Sequence, residues 1–250
     1  MSVSSPAVTV SKEKVRLPGK ASRRGDRFFY GGMTFVIAAI IFAGFTPSFF
    51  MRPMFERPPL IPLAIPHGIV MTTWLVLFIT QTSLISANNV RLHRKLGVAA
   101  FGMIPLMLGL AFAMTIVNTN AMPTTFNPLP FMVIPMGDIG LFAILAAAAM
   151  YYRRDPETHK RLMILANINI VAPAVFRLGF PRLPVFGFYS FWAVVDVLVL
   201  AGPIYDLIRG RKLHKAYLYG GLLIIAAQPF RIWFMNTGFW DSIARLLTNR

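Results

Sequence analysis

The chain has 250 residues, a formal net charge of +16 and no cysteine, and 56% of it is hydrophobic against 14% charged. The missing thiols exclude disulfides, thiolate metal sites, iron–sulfur ligation and thioether-attached haem. The basic residues cluster between long apolar runs instead of forming a stripe interleaved with aromatics, so the charge excludes a nucleic-acid partner.

Residues 1–27 hold seven Lys/Arg and few large apolar side chains, which predicts a disordered basic tail. Apolar runs of membrane-crossing length follow, at about Phe28 to Phe50, His67 to Ala87, Gly97 to Asn118 and Phe131 to Tyr152. Three more lie at about Leu162 to Phe180, Val185 to Ile208 and Ala216 to Asn236. Pro53, Pro58, Pro59, Pro62 and Pro66 break helix after the first run, and Pro181 and Pro184 close the fifth. The end, TGFWDSIARLLTNR over residues 237–250, is polar on one face and predicts a short interfacial segment. The fold class is therefore an all-α polytopic transmembrane bundle over residues 28–236, with about seven spans. Six is the alternative, if the last apolar run lies at the interface.

Alternate inter-span segments hold 18 and 7 of the 25 Lys/Arg. That asymmetry predicts a bacterial-type inner-membrane protein with a cytoplasmic N-terminus and a periplasmic C-terminus. It also reads the basic segments as flanks for the lipid bilayer, with anionic lipids at the cytoplasmic face and no acidic side chain required.

Candidate site residues fall in two sets. His67, Trp74 and Gln81 are seven residues apart, so at about 3.6 residues per turn they drift only about 20° per step and form one stripe that should face protein. Gln81 needs a polar partner, and Asn167 or Asn169 can supply one. Asp138, Arg177, Asp196 and Arg231 are charges inside predicted spans, which are costly unless paired or wetted. Tyr189, Trp192 and Asp196 share one helix face at i, i+3, i+7 spacing. Two readings follow: an outer-half ligand pocket with His67 as its titratable member, or aspartate–arginine pairs that only fasten helices together. The second set is His93, His159 and His214, each just ahead of a span that runs outward. They are basic flanks contacting lipid phosphate or, if their helices adjoin, metal or haem ligands.

No GxSxG, P-loop or HExxH motif is present, so no enzymatic activity is assigned. The leading class is a small-molecule or ion binding or transport component. A membrane redox subunit binding b-haem or quinone is the alternative, and a structural subunit of a larger membrane complex is the third. The pattern Gly44-Phe45, His67-Gly68, Trp74, Gln81, His93-Arg94, His159-Lys160-Arg161-Leu162-Met163 and Arg177 resembles a group of uncharacterised bacterial multi-pass inner-membrane proteins. It is loosely similar to transmembrane b-type cytochromes in placing histidines near helix ends.

Overall fold

A computed structural model describes residues 20–123, 125–179 and 190–248, and these are helices and turns throughout. Helix α1 (Lys20–Phe45) runs into a wide turn at Thr46–Phe50 and a tighter one at Arg52–Phe55, where Pro47 and Pro53 interrupt the regular ladder. Helices α2 (Ala64–Ser86) and α3 (Val90–Ala121) form a hairpin. Its turn is made by Asn88 in a left-handed conformation and by Asn89, whose side chain accepts the Leu92 N–H. Helix α4 (Val133–Tyr151) then leads into α5 (Pro156–Asn169), α6 (Ala172–Arg177), α7 (Ser190–Ile208), α8 (Lys215–Phe234) and α9 (Gly238–Leu247).

Local sequence sets these boundaries. Asp155 caps α5 by accepting the N–H groups of Glu157 and Thr158, with Pro156 at the first helical position. The Thr158 hydroxyl and those two N–H groups hold the Asp155 carboxyl below the usual carboxylate range. His214 caps α8 through Nδ1, which accepts the Ala216 N–H at 3.2 Å. Burial, reinforced by Arg161, keeps that imidazole's pKa below its ordinary value, in agreement with its acceptor role.

Each expected span contains helix among the described residues; residues 180–189, which hold the start of the sixth span together with Pro181 and Pro184, lie outside them. Five stretches are long and apolar enough to cross a membrane: Arg24–Phe50, Ala64–Ser86, Val90–Ala121, Pro130–Tyr151 and Ser190–Ile208. Helices α8 and α9, bent by 90°, supply a sixth if counted together, with α9 covering the predicted interfacial segment. The fifth expected span differs from expectation, because it is two short helices. Pro173 cannot donate to the Asn169 carbonyl, and the chain breaks at Ile170 and Val171 before α6 resumes. Helix α5 is instead the bundle's central element: Arg161, Leu162 and every residue from Ile164 to Asn169 are buried. The core around it includes Ile37, Phe142, Leu165, Ile168, Val171, Val175 and Val199, while Phe35, Val76, Val98, Ile144, Val197 and Leu222 point outward. An apolar exterior over satisfied helical backbone is the arrangement a bilayer requires.

Two expectations about the basic end are corrected. Residues 20–27, placed in a disordered tail, belong to α1; residues 1–19 lie outside the described residues. The basic flanks there do have acidic partners. Arg161 forks onto Asp206, with Nε to Oδ2 at 3.0 Å and Nη2 to Oδ1 and Oδ2 at 3.0 and 2.8 Å. Its Nη1 donates to the Glu157 carboxylate and carbonyl at 2.6 and 2.9 Å, so all three guanidinium nitrogens are engaged. Arg211 bridges Asp206 and Asp26, and Lys160 bridges Asp26 and Glu157. Three carboxylates and three cations thus balance in one network across α1, α5, α7 and the α7–α8 turn. Arg27 adds a hydrogen bond to the Asn88 side chain, joining α1 to the α2–α3 turn.

At the opposite end, α1 meets α6 without room for a side chain. A Cβ on Gly44 would lie 2.3 Å from the Ala174 carbonyl oxygen, whereas one on Gly31 would meet nothing within 4 Å. Gly44→Ala is therefore expected to destabilise the protein by about 1–3 kcal/mol through overpacking against main chain. Gly31→Ala should be neutral or stabilise by up to about 1 kcal/mol. Thermal unfolding in detergent micelles checks both, and equal effects would contradict the close α1–α6 approach.

Candidate functional site

Of the four candidate interior charges, Asp138 and Arg231 pair with each other and the other two do not. Arg231 on α8 donates from Nη1 to Asp138 Oδ1 on α4 at 2.7 Å and to the Ile134 carbonyl at 3.4 Å, with both side chains almost wholly buried. Its guanidinium lies 6.0 Å from the centre of the Trp192 ring. Gly137 makes the approach of α8 to α4 possible, since a Cβ there would be 2.4 Å from Arg231 Nε. Asn169 secures the same place by donating to the Asp138 carbonyl at 2.8 Å. Asp196 accepts from Gln228 Nε2 at 2.6 Å, an amide partner where an arginine was expected. Arg177 has no carboxylate partner among the described residues: it donates to its own helix at the Pro173 carbonyl, 2.8 Å away, and stacks over Phe45 at 4.5 Å. Tyr189 lies outside the described residues.

The stripe on α2 splits into three environments. Trp74, 3% exposed, donates from Nε1 to Asn167 Oδ1 at 3.0 Å and meets Phe142 edge to face. Asn167 is therefore occupied by Trp74, and Asn169 by Asp138, so neither serves Gln81. Gln81 sits near the basic end of α2, beside the start of α3. His67 sits in the first turn of α2 at the far end, close enough to Arg177 to feel its charge.

Native interiors rarely leave polar atoms without partners. Among the described residues the unpartnered buried side-chain atoms are Ser48 Oγ, His67 Nδ1, both amide atoms of Gln81, His93 Nδ1 and Arg231 Nε. Arg231 Nε belongs to the ion pair already described. The rest fall at the two ends of the bundle. At the far end the turn carrying Ser48 packs directly on α2, with the Phe49 ring filling the space beside Gly68, where a Cβ would be 2.1 Å from it. Phe45, from the same segment, holds Arg177. Ser48, His67 and Arg177 are thus gathered around one turn and present three hydrogen-bond donors with no acidic side chain among them.

Ser48 was invisible to sequence reasoning. Hydroxyls in apolar helices ordinarily bond to the carbonyl four residues earlier, as Thr46, Thr72 and Thr80 do here. Ser48 departs from that habit because the ladder is widened at Pro47. At the basic end, the expected three-histidine set separates. His93 and His159 are neighbours, with ring centres 6.4 Å apart, while His214 is engaged in capping α8. His67 is at the opposite end from all three. Comparison with protein-family models, with curated proteins and with solved structures found no match.

The pairing pattern is testable by double-mutant cycles. Asp138→Asn with Arg231→Gln should show a coupling energy of about 1 kcal/mol or more, since the two share a buried ion pair. Asp138→Asn with Arg177→Gln should be additive within about 0.5 kcal/mol. Unfolding in detergent measures both cycles, and coupling to Arg177 instead of Arg231 would overturn the assignment.

Proposed function

We propose that this membrane protein is a binding or transport component whose ligand is a small anion held at the far end by Ser48, His67 and Arg177. The observation that carries this reading is the pair of buried donors, Ser48 Oγ and His67 Nδ1, left without partners beside a guanidinium that has no carboxylate. A carboxylate or phosphate group supplies what all three lack, because an anionic oxygen accepts from an imidazole N–H, a hydroxyl and a guanidinium at once. Arg177 is exposed at the rim of the bundle, so the ligand has an approach that does not cross the packed core. The Asp138–Arg231 and Asp196–Gln228 pairs frame the interior and stay outside the binding step. The excess of Lys/Arg at the basic end supports an inner-membrane orientation with that end in the cytoplasm, which leaves the anion site facing the periplasm.

The test uses the purified full chain in detergent with acetate, succinate and inorganic phosphate as probes. At least one should raise the unfolding temperature in a saturable way. His67→Ala and Arg177→Gln should abolish that rise, while Arg245→Ala, at an exposed pair, should retain it. Because the chain lacks cysteine, a Leu178→Cys variant also reports the side of the site: a membrane-impermeant maleimide should label it in right-side-out vesicles. No stabilisation by any of the three anions, or stabilisation unchanged in both site variants, would sink the proposal.

A further inference from the structure

The second cluster of polar groups, two of them with unpartnered buried atoms, lies at the other end, where the α2–α3 hairpin approaches α4 and α5. Its members are Gln81 on α2, His93 in the first turn of α3 and His159 in the first turn of α5. The ion network beside them does not use any of the three. His159 Nδ1 lies 2.8 Å from the Ala149 carbonyl in the last turn of α4. A carbonyl only accepts, so Nδ1 carries the proton and Nε2 keeps its lone pair. An outer hydrogen bond of this kind is what fixes the orientation and tautomer of a histidine that ligates through its other nitrogen. The His93 ring stands nearly perpendicular to that of His159, at 81°, with the centres 6.4 Å apart. His93 Nδ1 is buried and unpartnered, as are both amide atoms of Gln81. Gly97, one turn along α3 from His93, lies beside the Gln81 amide: a Cβ there would sit 3.7 Å from Gln81 Nε2, an ordinary contact.

We propose that Gln81, His93 and His159 form a binding site for a single transition-metal ion of the imidazole-preferring class, copper foremost and zinc next. Two imidazoles joined to one ion by bonds of about 2.0 Å on opposite sides have ring centres roughly 6 Å apart, which matches the spacing here. The donor set is two neutral imidazoles and an amide oxygen. Among the described residues no group of three or more His, Cys, Asp or Glu gathers to hold a metal, so the site lacks the multiple carboxylates that a hard cation such as Mg²⁺ or Ca²⁺ takes. Arg94 adds positive charge beside His93, which favours the singly charged Cu(I) over a divalent ion. Divalent affinity at nitrogen donors rises to copper and falls again at zinc, so copper leads among the divalent ions. The site is independent of the far-end anion site, from which it is separated by the length of α2.

The experiment titrates the chelator-stripped full chain, in detergent, with Cu(I) against a chromophoric competitor and separately with Zn(II). Wild type should bind one equivalent of copper. His159→Asn keeps an amide donor for the Ala149 carbonyl but removes Nε2, and with His93→Gln it should weaken binding at least ten-fold while leaving the unfolding temperature near wild type. His67→Ala and His214→Asn should bind as wild type does. Gln81→Leu is the second probe, expected to weaken binding less than either histidine change. Failure of wild type to bind copper or zinc at one equivalent, or wild-type affinity in both histidine variants, would overturn the proposal. So would a Soret band in the purified protein that both histidine variants lose, since the pair would then hold haem.

Discussion

The fold depends most on the buried fork between Arg161 and Asp206. Asp206 is 0% exposed and Arg161 is 2% exposed, so neither charge has water to fall back on. Ions at such depth are tolerable only when each donor and acceptor is matched. Here all three Arg161 guanidinium nitrogens find oxygen, and Asp206 gains a second cation in Arg211. The fork joins α5 to α7, and Asp26 extends it to α1 through Lys160 and Arg211, with the Tyr205 hydroxyl as a third donor to Asp26. Helix α5, which is polar at its start and carries a break at its end, has little lipid-compatible surface of its own. It is held in the middle of the bundle by this network and by the apolar residues from Leu162 to Ile168.

That constraint separates structural from functional polarity. In a bilayer the hydrophobic effect does little to bring helices together, so packing, small residues and interhelical polar contacts decide the arrangement. The Asp138–Arg231 pair, the Asp196–Gln228 and Trp74–Asn167 hydrogen bonds and the Tyr30–Tyr217 hydroxyl contact all join different helices and leave little for a ligand. The groups that remain unsatisfied are not scattered. Ser48 and His67 lie at one end, and Gln81 and His93 at the other. Both places sit near the ends of helices, away from the packed centre of the core.

Much of the architecture was legible because lipid imposes length and apolarity on anything that crosses it. Each of the seven apolar runs contains helix among the described residues, and the proline-rich stretch after the first run corresponds to turns. What escaped was whatever depends on how helices rotate against one another. Arg177 and Arg231 are alike as residues inside apolar runs, yet only Arg231 faces Asp138, because Gly137 lets α8 come close there. Asp206 and Asp26 lie beside Lys/Arg runs and were not among the candidate charges, although Asp206 falls inside the sixth predicted span. Their depth follows from the packing of α5 against α7, which no local pattern encodes. Pro173 was a visible signal for the break in the fifth span, outweighed by the apolar residues on either side of it.

The central claim is that the charges at the basic end hold the fold while the unpartnered groups at both ends are free to serve a ligand. Thermal unfolding of two variants in the same detergent tests it most directly. Asp206→Asn leaves Arg161 buried beside a neutral amide, and breaking such a pair costs about 3–5 kcal/mol. The account predicts a large fall in unfolding temperature for Asp206→Asn and a value near wild type for the double variant His67→Ala/His93→Gln. A stable Asp206→Asn protein beside a collapsed double variant would contradict it.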